Sequence, residues 1–254
     1  MPVLSTMSSA TPLIEIFSSV QGEGELAGYR QIFIRFPGCN LTCSYCDTPL
    51  MAAPTCRVET EPGSNRFEEI AQPVSLETVL ALVHRWCKQL PGAHHSISIT
   101  GGEPMLHADL LVGWLPELNV LLPIHLETNG SLPEQLPRLI EHLDYISMDI
   151  KLPSASNTPE LWSAHRTFLE RALERNVSVK VVIGEETSEQ DLKAACTLVA
   201  ELDDELPLIL QPMTGSDGRV AIAPERLMRL QALAARLLSD VRVLPQMHRF
   251  LGVA

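Results

Sequence analysis

The chain has 254 residues, 45% of them hydrophobic, and a net charge of −12 from 31 acidic and 19 basic residues. That composition predicts a folded globule with a sizeable core and argues against disorder. It lacks the clustered Lys and Arg needed to grip a nucleic-acid backbone, and no apolar run approaches the about 18 residues of a membrane span. Residues 1–10 carry no basic stretch leading into an apolar core, so the expectation is a soluble, cytoplasmic protein acting on a small molecule, with no nucleic-acid or membrane partner.

The predicted elements alternate along the chain. A loop at 21–24 precedes a strand at 31–36, which runs into Cys39, Cys43 and Cys46. Residues 49–74 hold Pro49, Pro54, Pro62, Gly63 and Pro73 and no long periodic element, so they read as an inserted loop or small cap. A helix follows at 75–90, where Leu76, Val79, Leu80, Val83, Trp86, Cys87 and Leu90 keep the spacing of one helical face and Ser75 can cap it. Short Ile-, Val- and Leu-rich strands come next at 96–100, 124–128 and 145–150. A helix at 159–175, a strand at 177–183, a helix at 188–201, a strand at 207–211, a helix at 224–238 and a strand at 241–244 complete the pattern. Such alternation predicts an α/β fold with a mainly parallel sheet and right-handed crossovers. Six or seven units fall short of an eightfold barrel. The expected fold class is therefore a partial (β/α) barrel of about six parallel strands, forming a single domain over 1–254 with the insertion at about 49–74.

Polar and glycine-rich motifs follow successive strands: 39–47, 101–104, 129–130, 149–151 and 211–215. Parallel sheets gather their active sites at the carboxyl ends of the strands, so five motifs at one edge describe one pocket. Cys39, Cys43 and Cys46 have C-x3-C-x2-C spacing. Iron–sulfur clusters are held by cysteine thiolates, normally four. Three in one loop leave one iron of a cubane open to a ligand. The competing reading is structural zinc, which needs a fourth ligand from a second Cys pair or a His pair. No second Cys pair occurs, and the adjacent His94 and His95 would face opposite ways on a strand. Gly101 and Gly102 would let a backbone approach a ligand closely, with Glu103 beside them to accept from an amino group. Cys56, Cys87, Cys196, Met148, Met213 and Met247 read as packing or incidental residues.

At these cysteines, followed by Thr100-Gly101-Gly102-Glu103-Pro104, the sequence resembles the radical S-adenosylmethionine superfamily. Tyr45, just before the third cysteine, fits the same pattern. Within it, Val20-Gln21-Gly22-Glu23-Gly24, Arg35-Phe-Pro-Gly-Cys39, Cys46-Asp47-Thr48, Glu127-Thr128-Asn129-Gly130, Gln211-Pro212-Met213 and the ending from Gln246 to Ala254 resemble the 7-carboxy-7-deazaguanine synthase family, almost from end to end. The resemblance implies a carbon–nitrogen lyase of queuosine and 7-deazapurine biosynthesis. It converts 6-carboxy-5,6,7,8-tetrahydropterin to 7-carboxy-7-deazaguanine with loss of ammonia. A one-electron donor such as flavodoxin feeds the cluster. S-adenosylmethionine is cleaved, a hydrogen leaves C6 of the pterin, the ring contracts, and the hydrogen is returned.

The resemblance also implies the ligands and the subunit state. Cys39, Cys43 and Cys46 would hold a [4Fe–4S] cluster and Thr48 a magnesium ion. Tyr45, Cys46, Asp47, Gly101, Gly102, Glu103, Ser147, Asp149, Gln211, Pro212, Met213 and Thr214 would bind S-adenosylmethionine. Val20, Gln21, Gly22, Arg35, Thr100 and the C-terminal Ala254 would meet the pterin. Ser147 and Asp149 stand where many members carry Ser-Pro-Lys. The family is similar in being homodimeric. Two rivals are an activase of a glycyl-radical enzyme and a non-catalytic iron–sulfur or zinc module. Residues 21–24 with Cys46, Asp47 and Thr48 speak against the first. The second leaves residues 101–104 without a purpose.

Overall fold

In a computed structural model, residues 10–46, 48–49, 51–215 and 217–253 are described. Runs of β-branched and aliphatic residues bounded by Gly, Pro and Asn form the strands. In chain order the elements are β1 (Ala10–Thr11), β2 (Glu15–Val20), β3 (Arg30–Phe36), β4 (Thr55–Glu59), β5 (Phe67–Ala71), β6 (Val74–Ser75), α1 (Leu76–Gln89), β7 (Ser96–Gly101), α2 (Ala108–Asn119), β8 (Ile124–Thr128) and β9 (Tyr145–Asp149). They continue with α3 (Pro153–Ser156), α4 (Trp162–Ala172), β10 (Asn176–Ile183), α5 (Glu189–Ala200), β11 (Leu208–Pro212), α6 (Pro224–Ala234), β12 (Val241–Val243) and α7 (Met247–Leu251).

One sheet has the order β12-β11-β10-β9-β8-β7-β3-β2-β4-β5. From β12 through β3 every neighbouring pair is parallel. This bears out the α/β reading, with seven parallel strands where about six were expected. The central strands are covered on both faces: Ile97, Ile99, Ile124, Leu126, Val179, Val181, Leu208 and Leu210 are fully buried, as the continuous apolar runs of a parallel sheet require. Helix α1 seals one face through Val79, Leu82, Val83 and Trp86, and the Ser75 hydroxyl accepts from the Thr78 N–H at its start.

β1, β2, β6, α3 and α7 have no counterpart among the predicted elements, and two further differences bear on the sheet. The 49–74 segment is more than a loop or cap: β4 and β5 form an antiparallel hairpin, and β4 adds to the sheet beside β2. Helix α2, containing Gly113 and Pro116, has no counterpart among the predicted helices, because those residues break the helical pattern while Leu111, Trp114, Leu115 and Leu118 still bury one face.

The hairpin is tied down by polar groups. Glu59 is 1% exposed, and its carboxylate accepts from the backbone N–H groups of Ser18 (2.9 Å), Gly63 (3.0 Å) and Asn65 (2.7 Å). Further along, the Gln72 amide exchanges hydrogen bonds with the main chain of Leu13. Replacing Glu59 by Ala strands the buried Ser18 N–H and releases those of Gly63 and Asn65 in the exposed turn, so Glu59→Ala is expected to cost about 1–3 kcal/mol. The exposed Glu69→Ala on the same hairpin should cost under about 0.5 kcal/mol. Urea unfolding checks both; equal midpoints for the two variants would contradict the anchoring role.

Candidate active site

The ends of β3 and β7 press directly together. The Gly102 N–H donates to Phe36 O (3.1 Å) and the Glu103 N–H to Gly38 O (2.8 Å). A Cβ on Gly101, whose φ is 141°, would lie 2.1 Å from Phe36 O, and one on Gly102 would lie 2.0 Å from Gly38 O and 3.0 Å from Cys39 Cβ. The glycine pair is therefore required by backbone packing that seats the cysteine loop. The sequence reading gave those glycines to the approach of a ligand alone.

Glu103 completes this junction. It is fully buried, and its carboxylate accepts from Met105 N–H (2.9 Å), the Thr128 hydroxyl (2.8 Å) and Asn129 N–H (2.8 Å). Burial pushes its pKa up, against the pull of those hydrogen bonds. Asn129 in turn donates to Cys39 Sγ (3.8 Å) and Asn40 Oδ1 (3.1 Å), and the Leu41 N–H also reaches Cys39 Sγ (3.4 Å). N–H···S bonds favour the thiolate form that binds iron. Burial pushes the Cys39 and Cys43 thiols up, so metal loading must displace protons. Among the described residues no three His, Cys, Asp or Glu side chains converge as a cage for a single ion. The three cysteines instead line one cavity of about 410 Å³.

Opposite the cysteines, the loop after β2 forms another wall. Gln21 is buried; its amide donates to Gln31 Oε1 (3.0 Å) and Glu127 Oε1 (3.1 Å), while its own carbonyl accepts from Glu23 N–H (3.0 Å). Below it, Gln31 donates to Ser96 Oγ (2.7 Å), and His125 links Gln31 to Ser147 Oγ (2.8 Å). Arg35 pairs with Glu15 through Nε (2.9 Å), and Glu15 also holds Arg57 of β4 (3.1 Å). That pairing engages one nitrogen of the guanidinium, and Arg35 lines the cavity as well.

Four charges meet around Asp149 at the end of β9 and Lys180 beside it within β10. Lys180 pairs with Glu23 and with Asp149 (3.1 Å), and Lys151 pairs with Asp149 (2.8 Å). Burial alone would raise the Glu23 carboxyl, but the Lys180 charge and hydrogen bonds from Lys180 and Gln246 bring it down to about 2. Burial opposes ionisation of Asp149 too, and Lys151 and Lys180 outweigh it, so its pKa falls. Both lysines are pushed up despite burial, Lys180 by Asp149 and Glu23, Lys151 chiefly by Asp149. The quartet is ionised and neutral in sum.

Buried acceptors remain open beside it. Asp149 Oδ1, Gln211 Oε1 and the Tyr45 hydroxyl have no hydrogen-bond partner among the described residues. Unmet buried acceptors are costly, and these three side chains line the cavity. They suit a ligand carrying hydroxyl and amino donors, such as a nucleoside.

Of the residues expected to act, Gln21, Gly22, Arg35, Cys39, Cys43, Tyr45, Cys46, Thr48, Thr100, Gly101, Gly102, Ser147, Asp149, Gln211, Pro212, Met213 and Thr214 line this one cavity. Val20 and Glu103 do not; the Glu103 carboxylate is engaged internally. Asp47 and Ala254 lie outside the described residues. Glu23, Glu127, Lys180, Gln246 and His248 also line the cavity without having been assigned to it. Position offered one signal for Lys180: it sits in register with Asp149 on the neighbouring parallel strand, on the same sheet face.

The Radical SAM superfamily model matches residues 33–198. The 7-carboxy-7-deazaguanine synthase of Geobacter sulfurreducens is 51% identical, over 94% of this chain and 96% of its own length. That of Methanothermobacter thermautotrophicus is 36% identical, over 95% of this chain and 97% of its own. The crystal structure of QueE from Escherichia coli superimposes with a TM-score of 0.55 at 25% identity, covering 94% of this chain and 95% of that one. With one such synthase identical at half its positions along nearly the whole of both chains, and a superfamily match spanning the cysteine loop and five parallel strands, the chain belongs to the 7-carboxy-7-deazaguanine synthase family of radical S-adenosylmethionine enzymes.

Proposed function

We propose that the protein converts 6-carboxy-5,6,7,8-tetrahydropterin to 7-carboxy-7-deazaguanine and ammonia, using a [4Fe–4S] cluster, S-adenosylmethionine and Mg²⁺. The observation that carries this reading is one cavity that joins three cysteine thiols, open nucleoside acceptors and Arg35. When bound, the cluster and S-adenosylmethionine supply reductive carbon–sulfur cleavage and reversible hydrogen abstraction from the substrate. The protein binds, orients and excludes water. Cys39, Cys43 and Cys46 hold the cluster. Gly101 and Gly102 offer backbone to the methionine end, and Ser147, Asp149 and residues 211–214 hold the nucleoside. Gln21 and Thr100 meet the pterin, and Arg35 presents a planar fork to its carboxylate. Val20, Glu103, Asp47 and Ala254 keep their family roles in this proposal, Glu103 through the turn it stabilises.

Magnesium prefers oxygen ligands and keeps few protein contacts. Thr48 contributes one hydroxyl, so the substrate's own oxygens supply others. We further infer a homodimer fed by a small one-electron donor such as flavodoxin, with the whole chain working as one domain that includes the inserted hairpin. Among the described residues no helix is long and apolar enough to cross a membrane.

The direct experiment is an anaerobic assay of reconstituted protein with carboxytetrahydropterin, Mg²⁺ and reductant, following ammonia, deazaguanine and 5′-deoxyadenosine together. Many product molecules per S-adenosylmethionine are expected. One-for-one accumulation of 5′-deoxyadenosine would defeat hydrogen return, and activation of a glycyl-radical partner without deazaguanine would favour the activase. Cys43→Ala is expected to lose the brown absorbance and all cleavage of S-adenosylmethionine. Cys196→Ala, deep in the core, should cost only about 1–2 kcal/mol of stability. Thr48→Ala should retain the cluster while turnover falls and half-saturation by Mg²⁺ moves at least about tenfold higher, the loss of one ligand worth roughly 1.4 kcal/mol. A magnesium titration that overlays the parent's would remove Thr48 from the metal site.

A further inference from the structure

The C-terminal segment closes one side of the cavity, yet little apolar burial holds it there. Helix α7 has no buried residue, and Phe250 and Leu251 are exposed. What fixes the segment is polar contact with the loop after β2. Met247 N–H donates to Gly22 O (2.9 Å), and the Gln246 amide donates to Glu23 Oε1 (2.8 Å) while accepting from Arg249 Nε (2.9 Å). Gly22 leaves the room this needs: a Cβ there would stand 2.0 Å from His248 Nδ1 and 2.8 Å from the His248 backbone nitrogen. The other Glu23 oxygen is gripped by Lys180, which also holds Asp149. Gln246, His248 and Arg249 line the cavity.

We propose that Glu23, held by Lys180, is a positioning residue that seats residues 246–253 as a wall of the substrate site, with Gly22 kept side-chain-free to receive His248. The assignment rests on the proposed function for what fills the cavity, but not for the seat itself. Glu23 does not react; it sets where the terminal segment lies relative to Gln21 on the same loop. Lys180 makes this possible by keeping a buried carboxylate ionised as a strong acceptor, since a charged acceptor holds an amide more firmly than a neutral one. Through Asp149 the seat is also tied to the strand end facing the nucleoside acceptors.

Hydrogen exchange of the full-length, cluster-loaded protein tests the seat without turnover. Glu23→Ala is expected to speed exchange in peptides covering 244–253 by at least about tenfold, with the sheet peptides unchanged, the signature of local opening. Gly22→Ala should do the same with both charges of the Glu23–Lys180 pair in place. Anaerobic kinetics then separate positioning from structure. KM for carboxytetrahydropterin should rise at least about tenfold, while affinity for S-adenosylmethionine stays within about twofold. Glu23→Gln, which keeps an acceptor for Gln246 but loses the charge, should fall between. Unchanged exchange over 244–253 in both Glu23→Ala and Gly22→Ala overturns the seat. Faster exchange with an unchanged KM overturns its role in positioning. If Glu23→Ala loosens the sheet as well, Gly22→Ala decides alone. A parent protein that makes no deazaguanine defeats the proposed function and leaves the exchange result to judge the seat.

Discussion

The site depends on a single buried carboxylate. Glu103 lies at the end of β7, where its backbone N–H reaches back to Gly38 and its side chain reaches forward to Thr128 and Asn129 at the end of β8. It thus joins the ends of three neighbouring parallel strands. Removing an ionised group from water is expensive unless its lone pairs are filled, and here three donors fill them. The same hydrogen bonds fix Asn129, whose amide lies against Cys39. A loop of six residues between Cys39 and Cys46 has little structure of its own; its shape is borrowed from this junction and from the glycine pair that admits it.

A second constraint is charge neutrality within an acidic protein. The chain carries −12 overall, and a cavity lined at random with such residues would repel anionic ligands. The interior quartet avoids this. Glu23 and Asp149 are matched by Lys180 and Lys151, so the quartet adds strong local dipoles to the cavity wall and no net charge of its own. The pairing is also directional. Asp149 gives Oδ2 to both lysines, and its Oδ1 has no partner among the described residues. Glu23 spends both oxygens, one on Lys180 and one on Gln246. Two carboxylates of similar burial therefore have different duties, one poised for a ligand and the other consumed in holding the protein together.

Much of this was legible in the sequence because parallel α/β sheets convert order along the chain into position at an edge. Each strand end brings its following residues to the same rim, so the motifs at 39–47, 101–104, 129–130, 149–151 and 211–215 could be placed together without any contact being known. What escaped is what depends on side chains meeting from distant parts of the chain. Strand β4 of the hairpin is only Thr, Cys, Arg, Val and Glu, too short and polar a run to stand out among prolines. Its anchor, Glu59, bonds Ser18, 41 residues away. Arg35 combines a place on the cavity wall with an ion pair through Nε to Glu15, a partner 20 residues away that no motif signals.

The loop after β2 shows why a short motif can be recognisable while its reason is not. Val20 through Gly24 looked like a turn, or by resemblance like a substrate contact. Its atoms divide more finely. The Gln21 side chain turns inward to Gln31 and Glu127, whose further contacts run to Ser98 and, through His125, to Ser147. Gly22 is buried and lends its carbonyl to Met247. Glu23 faces Lys180 and the terminal segment together. Three consecutive residues thus address the sheet interior, the chain terminus and the charged strand ends. The chain bends here instead of continuing β2, with the Glu23 N–H folding back onto the Gln21 side-chain oxygen (3.0 Å), so Gln21 and Glu23 leave in different directions where a strand would send both to one face. A substitution at any one of the three would be felt at a different wall of the same cavity, so each has its own reason to be the residue it is.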